Sequence, residues 1–174
     1  MSKTSQLAFV VFSALAALTS VSSSPIACDV IEQSPYITAI TTDTRIAGLQ
    51  LTQTTGAATL TSSGFHGGWD WVNGGLGAFD ACSDWWLNIG TSSTSVKPLT
   101  WNLNDQETTI WSGGPGEIVT TTAAPAQTEV PAATSTFLAC EEGGSWVLYL
   151  QTGTDLPAGE TCVATQLQEG TSSV

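Results

Sequence analysis

The clearest alternation in the chain runs over residues 146–151. Trp146, Leu148 and Leu150 fall on one side, and Val147, Tyr149 and Gln151 on the other. A period of two is that of a strand with an inner and an outer face. Before it come a short apolar run at Phe137 and Leu138, then Cys140, then an acidic Gly-rich turn over residues 141–144. After it, Leu156-Pro157-Ala158-Gly159 makes a turn into Cys162 and a final short strand. The pattern predicts strand, turn, strand, turn, strand over residues 135–165, with Trp146 as a covered core anchor on the inner face.

Weaker alternations fill the rest. Residues 36–41 read as a first strand. Ala47, Leu49 and Leu51 mark a second, and Ala58 and Leu60 a third, with a turn at Thr54-Thr55-Gly56 that makes a hairpin of the last two. Residues 62–84 are an unusual Gly- and Trp-rich stretch without a clear period. Trp85, Leu87 and Ile89 form the next alternating set, then Leu99, Trp101 and Leu103, and residues 108–111 are a further short candidate. No 3.6-residue period is visible. Short alternating runs separated by turn residues predict an all-β, single-domain β-sandwich or small β-barrel. A β-trefoil is the runner-up, weakened by the lack of a threefold internal repeat. Residues 112–135, rich in Thr, Ala, Pro and Gly, read either as an exposed loop of O-glycosylated character or as the cover for one more edge strand near residues 118–121.

Composition sharpens this picture. Lys3, an apolar run over residues 7–18 and small polar residues after it predict a secretory signal peptide spanning 1–23, leaving a mature domain of residues 24–174. The C-terminal residues lack the hydrophobic tail of a lipid-anchor signal, so a free, soluble, monomeric protein is expected. Losing Lys3 takes the formal charge from −12 to −13, with Arg45 and Lys97 the remaining Lys and Arg. Such a chain repels phosphate backbones and anionic membranes, which argues against nucleic-acid or membrane partners. The four cysteines, Cys28, Cys82, Cys140 and Cys162, form an even set that predicts two disulfides in an extracellular setting. Three connectivities are open. If Cys140 and Cys162 staple the C-terminal unit, closing a loop worth about 3 kcal/mol, Cys28–Cys82 follows by elimination.

Candidate chemistry concentrates in the Gly/Trp stretch. Trp69 and Trp71 with Asp70 and Asn73, near His66, have the composition of a carbohydrate site, where apolar sugar faces stack on indoles and polar groups take hydroxyls. The alternative is that the glycines make turns while the tryptophans plug a small core. Carboxylate pairs for glycoside hydrolysis could be drawn from Asp70, Asp80, Asp84, Glu141 and Glu142, yet no motif fixes two of them in space. His66 is the single histidine, and neither a metal-ligand spacing, a nucleophile elbow nor a phosphate-cradling loop accompanies it. No metal, no cofactor and no enzymatic activity are expected, and the absence of an N-x-S/T sequon argues against N-glycosylation.

The C-terminal unit carries a resemblance. The order F-x-A-C, a short acidic turn, G-x-W with alternating apolar residues, then P-x-G and a second cysteine is met by Phe137, Ala139, Cys140, Gly144, Trp146, Pro157, Gly159 and Cys162. It resembles the C-terminal block of small secreted fungal cell wall proteins of the PhiA and IgE-binding-protein-like family. The likeness covers some 30 residues, with Cys162-Val163-Ala164 where that family usually has C-G-F. A weaker likeness lies in the early S-P-x-x-x-A-I run at residues 34–40. The resemblance implies a non-catalytic secreted protein of the fungal wall or apoplast, an effector, elicitor or allergen, with wall polysaccharide or a host extracellular protein as partner. A lectin-like glycan binder is the alternative, and a small acidic glycoside hydrolase stands behind both.

Overall fold

The computed structural model describes residues 36–53, 56–64, 67–80, 83–124, 130 and 132–171. The expected signal peptide, its cleavage site, Cys28, His66, Cys82 and hence the Cys28–Cys82 pairing lie outside the described residues, and so does the Asp80 side chain. Every regular element among the described residues is a strand. They are β1 (Ile37–Ile40), β2 (Gln50–Thr52), β3 (Gly56–Ala57), β4 (Thr59–Thr61), β5 (Gly68–Val72), β6 (Gly75–Asp80), β7 (Ser83–Ile89), β8 (Val96–Leu103), β9 (Trp111–Ser112), β10 (Thr120–Thr121), β11 (Phe137–Glu142), β12 (Ser145–Gln151) and β13 (Thr161–Glu169).

Six of these close into an antiparallel barrel in the order β1-β2-β4-β12-β11-β13, with β13 pairing back onto β1. Of the two expected architectures the barrel is the one adopted, and closure removes the exposed edges that an open sheet would leave. The strand order carries no threefold repeat, so the trefoil alternative is set aside. The remaining long strands form a meander, β5-β6-β7-β8, that joins the barrel through β8 and β12. Strand β12 is shared along its length: Trp146 and Val147 pair with β4, while Tyr149, Leu150 and Gln151 pair with β8. Ala58 sits at this fork, its N–H donating to Leu99 O at 2.9 Å and its carbonyl accepting from Leu148 N at 2.8 Å.

The C-terminal unit is as the alternation predicts. Cys140 and Cys162 are register partners on β11 and β13, with Cα atoms 4.0 Å apart, and are disulfide-bonded. Leu148 and Leu150 are fully buried on the inner face of β12. Trp146, expected on that face as a covered anchor, is only half-buried. It lies at the barrel rim, where the Arg45 guanidinium, 5.5 Å from its ring centroid, covers it in place of a second sheet.

Barrel and meander share one apolar core. Ile37, Leu51, Leu60, Phe137, Leu148, Leu150 and Leu167 belong to the barrel, and Trp69, Leu76, Leu87, Leu99 and Trp101 to the meander. Trp111 closes the core between them, stacked on Phe137 at 6.4 Å and donating its indole N–H to Leu87 O at 2.8 Å. The segment that reads as an exposed loop after residue 112 is held down over its described part. Val119, Thr121 and Val130 are buried, Thr120 and Thr121 pair with Ser112 and Trp111, and Ile118 bridges to Gln168. Val119 supplies the apolar anchor that the Thr/Ala/Gly background hides.

Candidate functional site

The Gly/Trp stretch is a hairpin. Asn73 and Gly74 have φ of 51° and 77°, the left-handed pair that a tight two-residue turn needs and that Asn-Gly meets with least strain. The turn is docked: Trp111 N–H donates to Gly74 O at 2.7 Å, and a Cβ on Gly74 would lie 2.3 Å from Thr109 O.

Alternation along β5 then separates the residues that the sequence groups together. Trp69 and Trp71 point inward. Trp69 is 8% exposed and lies 5.9 Å from Trp101. The Trp71 indole N–H donates to Glu169 Oε2 at 2.8 Å. Asp70 points outward, exposed, and its carboxylate takes Trp71's own backbone N–H at 2.8 Å. Asn73 is exposed at the turn. The four residues are therefore neighbours in sequence without forming one surface; the two indoles are on the core side.

The outward face of the meander holds a different set. Register aligns Asp70, Gly77, Trp86 and Asn102 as one row across β5, β6, β7 and β8. The next row has Gly68, Phe79 and Asp84. Trp86 and Phe79, both partly exposed, meet edge to face at 5.6 Å and 88°. They lie over the two glycines of β6. A Cβ on Gly77 would stand 2.5 Å from Phe79 Cε2 and 3.3 Å from Trp86 Cζ3, and one on Gly75 would stand 2.9 Å from Trp86 Cζ3. These glycines are present because the rings need their space.

Beside Trp86 lies the Gln106 amide, whose Nε2 would be 2.2 Å from that Gly75 Cβ and donates to Val72 O at 2.9 Å. The loop that carries it is clamped by buried Asn88. That side chain donates to Asp105 O at 2.8 Å and accepts from the N–H groups of Glu107 and Thr108, each at 2.9 Å. A fixed indole with an edge-on phenyl and amides beside it can stack an apolar ring face and hold hydroxyl groups.

A second feature lies at the barrel rim. Arg45 binds Asp43 with both Nε (3.0 Å) and Nη2 (2.6 Å), and this pairing holds the Asp43 carboxyl at about 2. With Trp146, Leu49, Leu60, Thr61 and Ser145 it borders an open groove of about 310 Å³. The other carboxylates that could serve hydrolysis are apart or engaged. Glu141 is exposed, while Glu142 accepts the Tyr149 hydroxyl at 2.5 Å; burial first and this carboxylate second push the tyrosine up to about 12. Glu169, 3% exposed, is held above the ordinary carboxylate range by burial, against the opposing effect of the Trp71 hydrogen bond. Among the described residues no group of three or more His, Cys, Asp or Glu side chains could hold a metal ion.

The residues that sequence reasoning missed are Trp86, Phe79, Gln106 and Asn102. The Asn73-Gly74 pair is the available signal, since a two-residue turn there pairs Gly68 with Phe79 and Asp70 with Gly77, which puts Phe79 on the face of Asp70 and opposite to Trp69 and Trp71. Compared with protein-family models, curated proteins and solved structures, the chain finds no match.

Proposed function

We propose that this is a secreted, non-catalytic protein of the fungal wall or apoplast that binds polysaccharide through the outer face of the β5–β8 meander. The observation that carries this reading is the partly exposed Trp86–Phe79 pair lying over Gly75 and Gly77, beside the Gln106 amide. Burying such rings inside a 151-residue mature domain would be the cheaper arrangement; leaving them partly exposed on a sheet face, over glycines that carry no side chain of their own, suits a ligand with a flat apolar face. The resemblance of the C-terminal unit to fungal wall proteins supports the location, and the disulfide agrees with an oxidising compartment. The non-enzymatic part rests on the lack of a motif that fixes two carboxylates as an acid–base pair.

The test is a pull-down of purified protein with insoluble cellulose, β-1,3-glucan and chitin. Wild type should bind at least one, and Trp86→Ala should lose about tenfold or more, as expected for a central aromatic contact. Thermal melts of both proteins separate lost binding from lost folding. A well-folded Trp86→Ala protein that binds as wild type does would overturn the reading.

A further inference from the structure

The charges around this face select among glycans. Exposed carboxylates share this face and the loop beside it: Asp70 lies in the same row as Trp86 and Asp84 in the row of Phe79, while Asp105 and Glu107 are exposed on the loop that carries Gln106. No cation answers them among the described residues. Arg45 is tied by two hydrogen bonds to Asp43 at the barrel rim. Lys97, though on β8, is 7% exposed and donates its Nζ to Ser92 O at 2.7 Å. Arg45 and Lys97 are therefore both engaged away from this face, and the charges that the described residues place around Trp86 are negative.

Resting on the proposed function, we infer that the preferred ligand of this face is a cationic amino-sugar polymer, a β-linked glucosamine chain such as deacetylated chitin. A pyranose ring supplies the apolar face for Trp86. Its hydroxyls suit the Gln106 and Asn102 amides, and each protonated amine can approach one of these carboxylates. Uronate-rich or phosphorylated glycans would meet like charge from Asp70 and Asp84, and neutral glucans gain only the stacking and hydroxyl contacts. The identification comes from the combination. Carboxylates alone would describe any acidic surface, while the aromatic pair alone would accept any flat sugar.

The experiment measures binding of the intact secreted protein to glucosamine hexamer and to N-acetylglucosamine hexamer at about pH 5.5. It does so in about 0.05 M and about 0.5 M NaCl, for wild type, Trp86→Ala and Asp84→Asn/Glu107→Gln. Asp70 is left alone because it accepts a backbone N–H. Each exposed charge pair is worth up to about fivefold, so the glucosamine hexamer should bind about tenfold or more tighter at low salt, and the ratio should shrink at high salt. The double variant should lower that ratio, and Trp86→Ala should weaken binding of both hexamers by about tenfold or more. Equal affinity of wild type for the two hexamers would overturn the inference and leave glycan binding intact. A double variant that keeps the full preference would also overturn it. If Trp86→Ala binds the glucosamine hexamer as tightly as wild type does, or polylysine competes as well on that variant as on wild type, the attraction is plain ion exchange. The proposed function then fails with the inference.

Discussion

Glu169 and Trp71 offer the sharpest quantitative test of the fold. The carboxylate is 3% exposed at the end of β13 and accepts the indole N–H of β5 at 2.8 Å, so it links the barrel to the outermost strand of the meander. Burial raises its pKa above the usual value, with Glu117 nearby acting in the same direction. A carboxyl whose folded pKa lies above its unfolded one binds its proton more tightly in the native state. Its contribution is complete below the unfolded pKa, about 4.3, and is lost as pH rises through the folded value. Glu169→Gln keeps an acceptor for the indole and removes the buried charge. The variant should match wild type near pH 3 and melt higher at pH 7.

Trp71→Phe has the opposite effect. It leaves the carboxylate buried without its donor, at about 1–3 kcal/mol, which corresponds to roughly 2–12 °C for a domain of this length. That loss should be larger at pH 7, where the carboxylate is charged, than at pH 3. Melting curves of wild type, both single variants and the double variant at pH 3, 5 and 7 give the coupling directly. If Glu169→Gln shifts the melting temperature by the same amount at every pH, the buried-charge account is wrong.

Three more expectations follow from the packing. Trp69→Ala should cost about 3–5 kcal/mol, the usual range for a buried aromatic; a variant secreted and melting as wild type would place that indole outside the core. Replacing both Cys140 and Cys162 by Ser should lower stability by about 2–4 kcal/mol in denaturant titrations, and peptide mapping of the unreduced wild type should recover the 140–162 link. Gly77→Ala should fold, with a penalty of about 1–3 kcal/mol for overpacking, yet displace Phe79 and Trp86; unchanged near-ultraviolet circular dichroism would show that the rings do not rest on that glycine.

Much of the barrel could be read from period-two alternation, because strands with one wet face write their burial into the sequence. Leu148 and Leu150, and the β2–β4 pair, are of this kind. Trp146 fits the same pattern but is closed by Arg45, a cation one hundred residues earlier that no local pattern links to it. The meander was harder. In β5 and β6 glycine replaces the polar outward residue at several places, and alternation of Gly with Trp, Leu or Ala does not register as polar against apolar. Of the two readings that the sequence leaves open for Trp69 and Trp71, a sugar platform or plugs of a small core, the structure adopts the second, while adjacent Trp85 and Trp86 face opposite ways and Trp86 lies on the outer face. Val119 shows the third limit, since one buried side chain amid threonines is enough to hold a segment that composition describes as a loop.

The strand order also has a consequence for how the chain is assembled in time. Four strands of the meander follow one another along the middle of the sequence, so each can pair with a neighbour as soon as it is made. The barrel has to wait. Thr38 of β1 meets Gln168 of β13 across 130 positions, and β4 has no partner on its open side until β12 arrives. Long-range pairing of this kind is slow to form, so the nascent N-terminal strands keep unpaired edges until β12 and β13 have been made, beside a meander that is complete before them. Pulse-labelled hydrogen exchange during refolding should find β6 and β7 amides protected before those of β1 and β13, and simultaneous protection would contradict this order. β13, the last of the described strands, is thus the one that closes the barrel, and a chain truncated before β12 should remain adhesive at β4.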